Sequence, residues 1–103
     1  MVDPNTVESP RDRWTLIDVL TQQGGEADNW WSLALGRWDG VPCLAARWNG
    51  ADNDESKGNP VSRGYPIWFI LPDELAEAVK SIIPKVKQNL VASILSDTPR
   101  NRF

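Results

Sequence analysis

Asp39-Gly40 stands between two runs of alternating apolar residues, WWSLALGRW before it and VPCLAARWN after it. Both central residues of a type I′ turn need positive φ, and Asp-Gly between alternating hydrophobics is its strongest short-range signal. A two-residue loop there fixes the register of the whole hairpin. Trp38 faces Val41, Arg37 faces Pro42, Gly36 faces Cys43 and Leu35 faces Leu44. Further out, Ala34 faces Ala45, Leu33 faces Ala46, Ser32 faces Arg47 and Trp31 faces Trp48. Opposed residues share a face of the sheet. One face therefore carries Trp31, Leu33, Leu35, Leu44, Ala46 and Trp48, which is a core face. The other carries Trp30, Ser32, Ala34, Gly36, Trp38, Val41, Cys43, Ala45 and Arg47. That second face has a floor of small side chains with an indole at each end. It either lies under something close-packed or serves as a platform.

The rest of the chain is expected to supply two more strands and a helix. WTLIDVLTQQ, from residue 14, is ambiguous. Trp14, Ile17 and Leu20 repeat at helical spacing, whereas Thr15, Ile17, Val19 and Thr21 are β-branched and alternate as in a strand. Ser9-Pro10-Arg11-Asp12 before it has the form of a helix start. Gly24 to Asn29 reads as a turn or loop, and residues 50–63 as a long polar loop. GYPIWFIL, residues 64–71, is apolar on both alternating faces and reads as a central strand or one buried in an oligomer interface.

Pro72-Asp73-Glu74 opens a helix, since proline suits the first turn and acids suit the positive end of the dipole. Leu75, Val79, Ile82, Ile83, Val86, Leu90, Ile94 and Leu95 form its apolar stripe. The stripe stays in phase across Pro84, which implies a kinked helix or two nearly collinear ones. So much apolar helix surface exceeds what one small sheet covers, and a homodimer through this helix and the sheet is expected. The expected fold is α+β: a four-stranded antiparallel sheet in β-β-β-β-α order on a long, Pro-kinked C-terminal helix. A flexible arm over 1–13, one domain over 14–96 and a short tail over 97–103 complete the layout.

Histidine is absent and Cys43 is the single cysteine. That excludes Ser-His and Cys-His pairs within the chain and an intrachain zinc site of the usual kind. It also excludes an internal disulfide. Asp52, Asp54 and Glu55 lack the spacing of a calcium loop, so no metal and no cofactor are expected. No apolar run is long enough to cross a bilayer and no signal-peptide pattern opens the chain, so the expected location is the cytoplasm. Net charge is −3, with −4 in residues 1–29, zero in 30–70 and +1 in 71–103. An acidic arm can thus mask a neutral body with local basic patches.

The order of elements resembles the single-stranded-DNA-binding transcriptional coactivator family, positive cofactor four, and its small bacterial relatives. WTLIDVL, WWSLALGRWDGVPCLAARW and LPDELAEAVKSI carry the likeness, over roughly residues 14–83. The resemblance implies a curved four-stranded sheet with the helix behind it, a dimer, and single-stranded DNA on the open side. It also tips WTLIDVLT towards strand. The family's lysine-rich first hairpin is missing, and QQGGEADN stands there. The 50–63 loop is longer and acidic, and the strand before the helix more apolar. The chain is similar too to small uncharacterised bacterial proteins carried on integron gene cassettes and other mobile elements, which implies no activity.

Two functional readings follow, neither of them enzymatic. In the first, single-stranded DNA or RNA stacks its bases on Trp30 and Trp38, with Arg37, Arg47, Lys57 and Arg63 on the phosphates. In the second, the chain is a homo-oligomer whose small-residue sheet face forms an interface or an apolar pocket for a small molecule or peptide. Net acidity favours the second. An enzyme built on Cys43 is the weakest reading, because the thiol has no histidine partner.

Overall fold

The computed structural model describes residues 1–24, 29–52 and 55–96. The turn or loop expected over 24–29 lies largely outside them, as do Asp54 and the tail over 97–103. The fold is α+β, with a four-stranded antiparallel sheet and short helices. β1 (Trp14–Gln23), β2 (Trp30–Trp38) and β3 (Val41–Gly50) form a meander. β4 (Val61–Ser62) and β5 (Tyr65–Pro66) make a separate small ribbon. β6 (Phe69–Ile70) completes the main sheet in the order β1-β2-β3-β6. α1 (Asp73–Val79) and α2 (Lys85–Leu95) follow.

The β2–β3 register is the expected one, from Trp38↔Val41 out to Trp31↔Trp48. Asp39 and Gly40 take φ of 51° and 81°, the pair of positive values a type I′ turn needs. Beyond Trp48 the register shifts and Trp30 pairs with Gly50.

β1 is a strand, and its helical spacing has a cause. Its register against β2 slips between Leu16 and Asp18 and again between Val19 and Thr21. Each bulge adds one residue to the period of two, so side chains return to a face after three. Trp14, Leu16 and Val19 therefore pack on one side of the sheet, and Ile17 and Leu20 on the other. The Ser9–Asp12 helix start is instead a turn, in which Pro10 O accepts from Arg13 N at 3.1 Å and Trp14 N at 2.8 Å.

The strand expected over 64–71 is broken and lies at the edge of the sheet. Pro66 has no N–H to donate to a ladder and pairs with Val61 in the small ribbon. Phe69 and Ile70 pair with β3, opposite Ala46 and Ala45. The expected long helix is also broken. α1 runs into a 3-10 turn over Lys80–Ile82, and Ile83 is extended, with ψ 128°. The ring of Pro84 drives the residue before it out of the helical region, so α2 starts afresh.

The helices cover the face predicted to be core, but only part of it. Leu20, Leu33, Leu35, Leu44, Ile83 and Val91 are buried together there, each large aliphatic contributing about 1.5–3 kcal/mol. Lys87 pins α2 to β1, its Nζ donating to Val19 O at 2.8 Å and pairing with Asp18 at 3.1 Å. Leu71 N donates to Leu44 O, so the helical segment starts beside the turn-proximal half of β3. Ile82, Val86 and Leu90 stay exposed on the outside, Val86 at 90%. No described helix is long and apolar enough to cross a membrane.

Candidate ligand-binding cleft

The small-residue face is closed. Ala34 and Ala45 are fully buried, under Trp14, Trp68 and Val7. Trp14 and Trp68 meet with ring centroids 6.3 Å apart and a 37° tilt. Trp68 Nε1 donates to Val7 O at 2.8 Å, and Val2 N to Asn49 O at 2.8 Å, so the N-terminal segment is strapped across this side. The absence of a side chain at Gly36 admits the Trp14 ring. The shelf expected between Trp30 and Trp38 is therefore filled from within.

The six residues expected to bind nucleic acid do not converge. Trp30 is half-buried, its Nε1 donating to Asp52 Oδ1. Trp38 is half-buried at the opposite end of β2, with the Arg13 guanidinium 5.9 Å from its ring centroid. The two are eight residue steps apart along the strand, about 27 Å at strand rise. Arg37 is half-buried on β2. Arg47 is only 3% exposed. Lys57 is exposed and donates from Nζ to Gly64 O at 2.6 Å, while Arg63 is exposed at the β4–β5 turn with φ 52°.

An open apolar surface lies elsewhere, on the helix side of the sheet at the end away from the Asp39-Gly40 turn. The register sets Trp31 opposite Trp48, and Ala46 opposite both Leu33 and Phe69. All share the core face, but the helices stop short of them. Trp48 is 50% and Phe69 53% exposed. They enclose a cleft of about 570 Å³ lined by Trp31, Ala46, Arg47, Trp48, Asn59, Pro60 and Phe69. That size lies within the range of small-molecule sites. The alanine methyl makes a low floor between taller aromatic walls. Among the described residues the aromatic pair in contact is Trp14–Trp68, so the rings at the cleft are not stacked on one another.

The wall formed by residues 57–67 is tied down through Arg47. Its Nε donates to Asn49 Oδ1 at 3.0 Å, its Nη1 to Ile67 O at 2.6 Å and its Nη2 to Lys57 O. Asn49 Nδ2 in turn donates to Ser32 Oγ at 2.8 Å. Asn59 and Trp48 exchange backbone hydrogen bonds of 2.8 and 2.9 Å, which sets the lip against β3. Burial lowers the Arg47 pKa to about 10, so it remains a cation at neutral pH.

Among the described residues that line the cleft, none carries a thiol, hydroxyl or carboxylate. Cys43 borders a different cavity of about 370 Å³, beside Asp73, Glu77 and Lys80. Among the described residues no three acids or cysteines gather to hold a metal.

No family model, curated protein or solved structure matches this chain.

Sequence reasoning missed Trp31, Trp48 and Phe69 as site residues because it placed the indoles on the core face. It put them on the correct face; what it lacked was the reach of the helices. One signal was available: Leu71 leads directly into Pro72-Asp73, so a helix starting there covers whichever half of the sheet Leu71 adjoins.

Proposed function

We propose that this is a non-enzymatic binding protein that holds a flat apolar ring in the Trp31–Trp48–Phe69 cleft. One observation carries the reading: two cross-strand tryptophans and a phenylalanine surround an open space without stacking on each other. Aromatic faces left uncovered in a concave site favour a planar partner, which buries large apolar area for little lost freedom. Trp31, Ala46, Trp48, Pro60 and Phe69, the bulk of the described lining, are apolar, which suits binding a ring.

Intrinsic tryptophan fluorescence during titration with a neutral flat probe, 2-naphthalenemethanol, tests this. Saturable quenching is expected, with affinity falling about 5- to 150-fold in Trp48→Ala, since stacking on an aromatic contributes about 1–3 kcal/mol. Trp48 is half-exposed, so its removal should leave the fold intact. Equal quenching and affinity in wild type and variant would sink the reading.

A single-stranded nucleic acid remains a second reading, because Lys57 and Arg63 belong to the segment that forms the lip. A base in the cleft would bring its phosphates towards them. Oligothymidine that quenches at low salt and is released by added salt supports it. Oligothymidine that gives no response at micromolar protein removes it.

A further inference from the structure

We propose that the cleft selects flat rings that carry an N–H beside a carbonyl, as a bicyclic lactam does, and that the Asn59 carboxamide recognises that edge. The inference rests on the binding reading above and adds the chemical class of the ligand.

The register places Asn59. Trp48 and Asn59 face each other as an antiparallel pair and exchange both backbone hydrogen bonds, at 2.8 and 2.9 Å. Directly opposed residues send their side chains to the same side, with Cβ atoms about 5 Å apart. On its other flank Trp48 is opposite Trp31. Trp31, Trp48 and Asn59 therefore form one cross-strand row on the cleft side of the sheet. Leu33, Ala46 and Phe69 form the next row, about 7 Å along the strands. Arg47 falls between the two rows and turns to the opposite side, with Ser32.

Asn59 is exposed, and among the described residues its side-chain amide has no hydrogen-bond partner; only its backbone is engaged. A carboxamide both donates and accepts, whereas indole and guanidinium only donate, and alanine, proline and phenylalanine side chains do neither. Among the described lining side chains, Asn59 Oδ1 is thus the one oxygen or nitrogen acceptor. In an apolar site a small number of polar groups fix a ligand's orientation. The carboxamide matches a lactam edge with two parallel bonds, the ring N–H donating to Oδ1 and Nδ2 donating to the ring carbonyl, much as asparagine pairs with the edge of adenine. A ring without the N–H leaves Oδ1 unpaired once the ligand covers it.

Three neutral probes separate this inference from the reading beneath it: 2-quinolone, coumarin and 2-naphthalenemethanol, titrated into the full chain by calorimetry. Coumarin keeps the shape and the carbonyl of 2-quinolone and has a ring oxygen in place of its N–H. 2-Quinolone should bind about tenfold tighter than coumarin. In Asn59→Ala that ratio should fall towards one, whatever the change in overall affinity. In the wild type, the Asn59 side-chain amide signals in a nitrogen-correlated NMR spectrum should shift as 2-quinolone saturates. If the variant does not fold, the wild-type ratio and the amide signals decide. Equal binding of 2-quinolone and coumarin, a ratio unchanged in the variant, or an unmoved Asn59 amide each overturns the inference and leaves the cleft reading standing. Failure of all three probes to bind overturns the cleft reading itself.

Discussion

Gly36→Val is expected to be among the most damaging single substitutions in the described chain, lowering stability by about 3 kcal/mol or more. Gly36 lies mid-strand in β2, opposite Leu16 on one side and Cys43 on the other. A Cβ built there runs into the six-membered ring of Trp14 and comes within 2.6 Å of the Thr15 carbonyl oxygen. Neither neighbour can give way cheaply. Thr15 O is backbone of the adjacent strand. Trp14 is 3% exposed and wedged against Trp68, which is itself fastened to Val7. The added group therefore forces the Trp14–Trp68 pair off the sheet and loosens the N-terminal strap with it. For a domain of this size a loss of about 3 kcal/mol lowers Tm by about 12–24 °C. Thermal unfolding followed by circular dichroism reads this. A Tm within about 3 °C of wild type would mean that Trp14 does not lie over Gly36. Gly36→Ala should show the same effect at smaller size.

Arg47→Ala is expected to cost about 2–4 kcal/mol and to free one wall of the cleft. Truncation leaves Asn49 Oδ1, Ile67 O and Lys57 O without their donor, at about 1–3 kcal/mol for each acceptor that water cannot reach. Relief of the buried cation's desolvation offsets part of this. The loss should be local as well as global. Arg47 links β3 to residues 57 and 67, which bracket the small β4–β5 ribbon. Without it the segment hangs on the Trp48–Asn59 backbone pair, the Ser9–Ile67 bridge and the short β6 pairing. Amide hydrogen exchange should quicken at Asn59 and Ile67 far more than at Leu33 or Leu35 in the sheet centre. Uniform quickening would mean that Arg47 supports the core generally and is no clamp. Unchanged exchange together with unchanged Tm would mean that its three hydrogen bonds do not form.

The parts of this structure legible in the sequence are those set by neighbours along the chain. Asp39-Gly40 fixed a two-residue turn, and the turn fixed eight cross-strand pairs with their faces, from Trp38↔Val41 to Trp31↔Trp48. The apolar stripe of the C-terminal region correctly gave helices packed on Leu33, Leu35 and Leu44. Pro84 marked the break, but phase alone did not show whether the helix bends or stops. Where one residue is inserted into a strand, the period itself misleads. Ile17 and Leu20 mimic helical spacing because each is the residue inserted at a shift in register. The site was less legible for a different reason. Whether Ala34 and Ala45 face solvent depends on Trp14, Trp68 and Val7, which come from three separate stretches of chain. Nothing in the local pattern of β2 or β3 announces that cover. Arg47 illustrates the same gap: as one of four arginines and lysines in residues 30–70 it read as a phosphate contact, and only the fold shows it enclosed by carbonyl oxygens.

The six tryptophans allow the central claim to be tested within one spectrum. Each indole N–H gives its own resonance in a nitrogen-correlated NMR spectrum, and single Trp→Phe variants assign them. On titration with 2-naphthalenemethanol, the Trp31 and Trp48 indole signals should shift and saturate together. Those of Trp14 and Trp68, buried on the opposite face, and of Trp30 and Trp38, outside the cleft, should stay. Movement of Trp30 and Trp38 with Trp31 and Trp48 unmoved would place the ligand on the other face of the sheet and contradict this account.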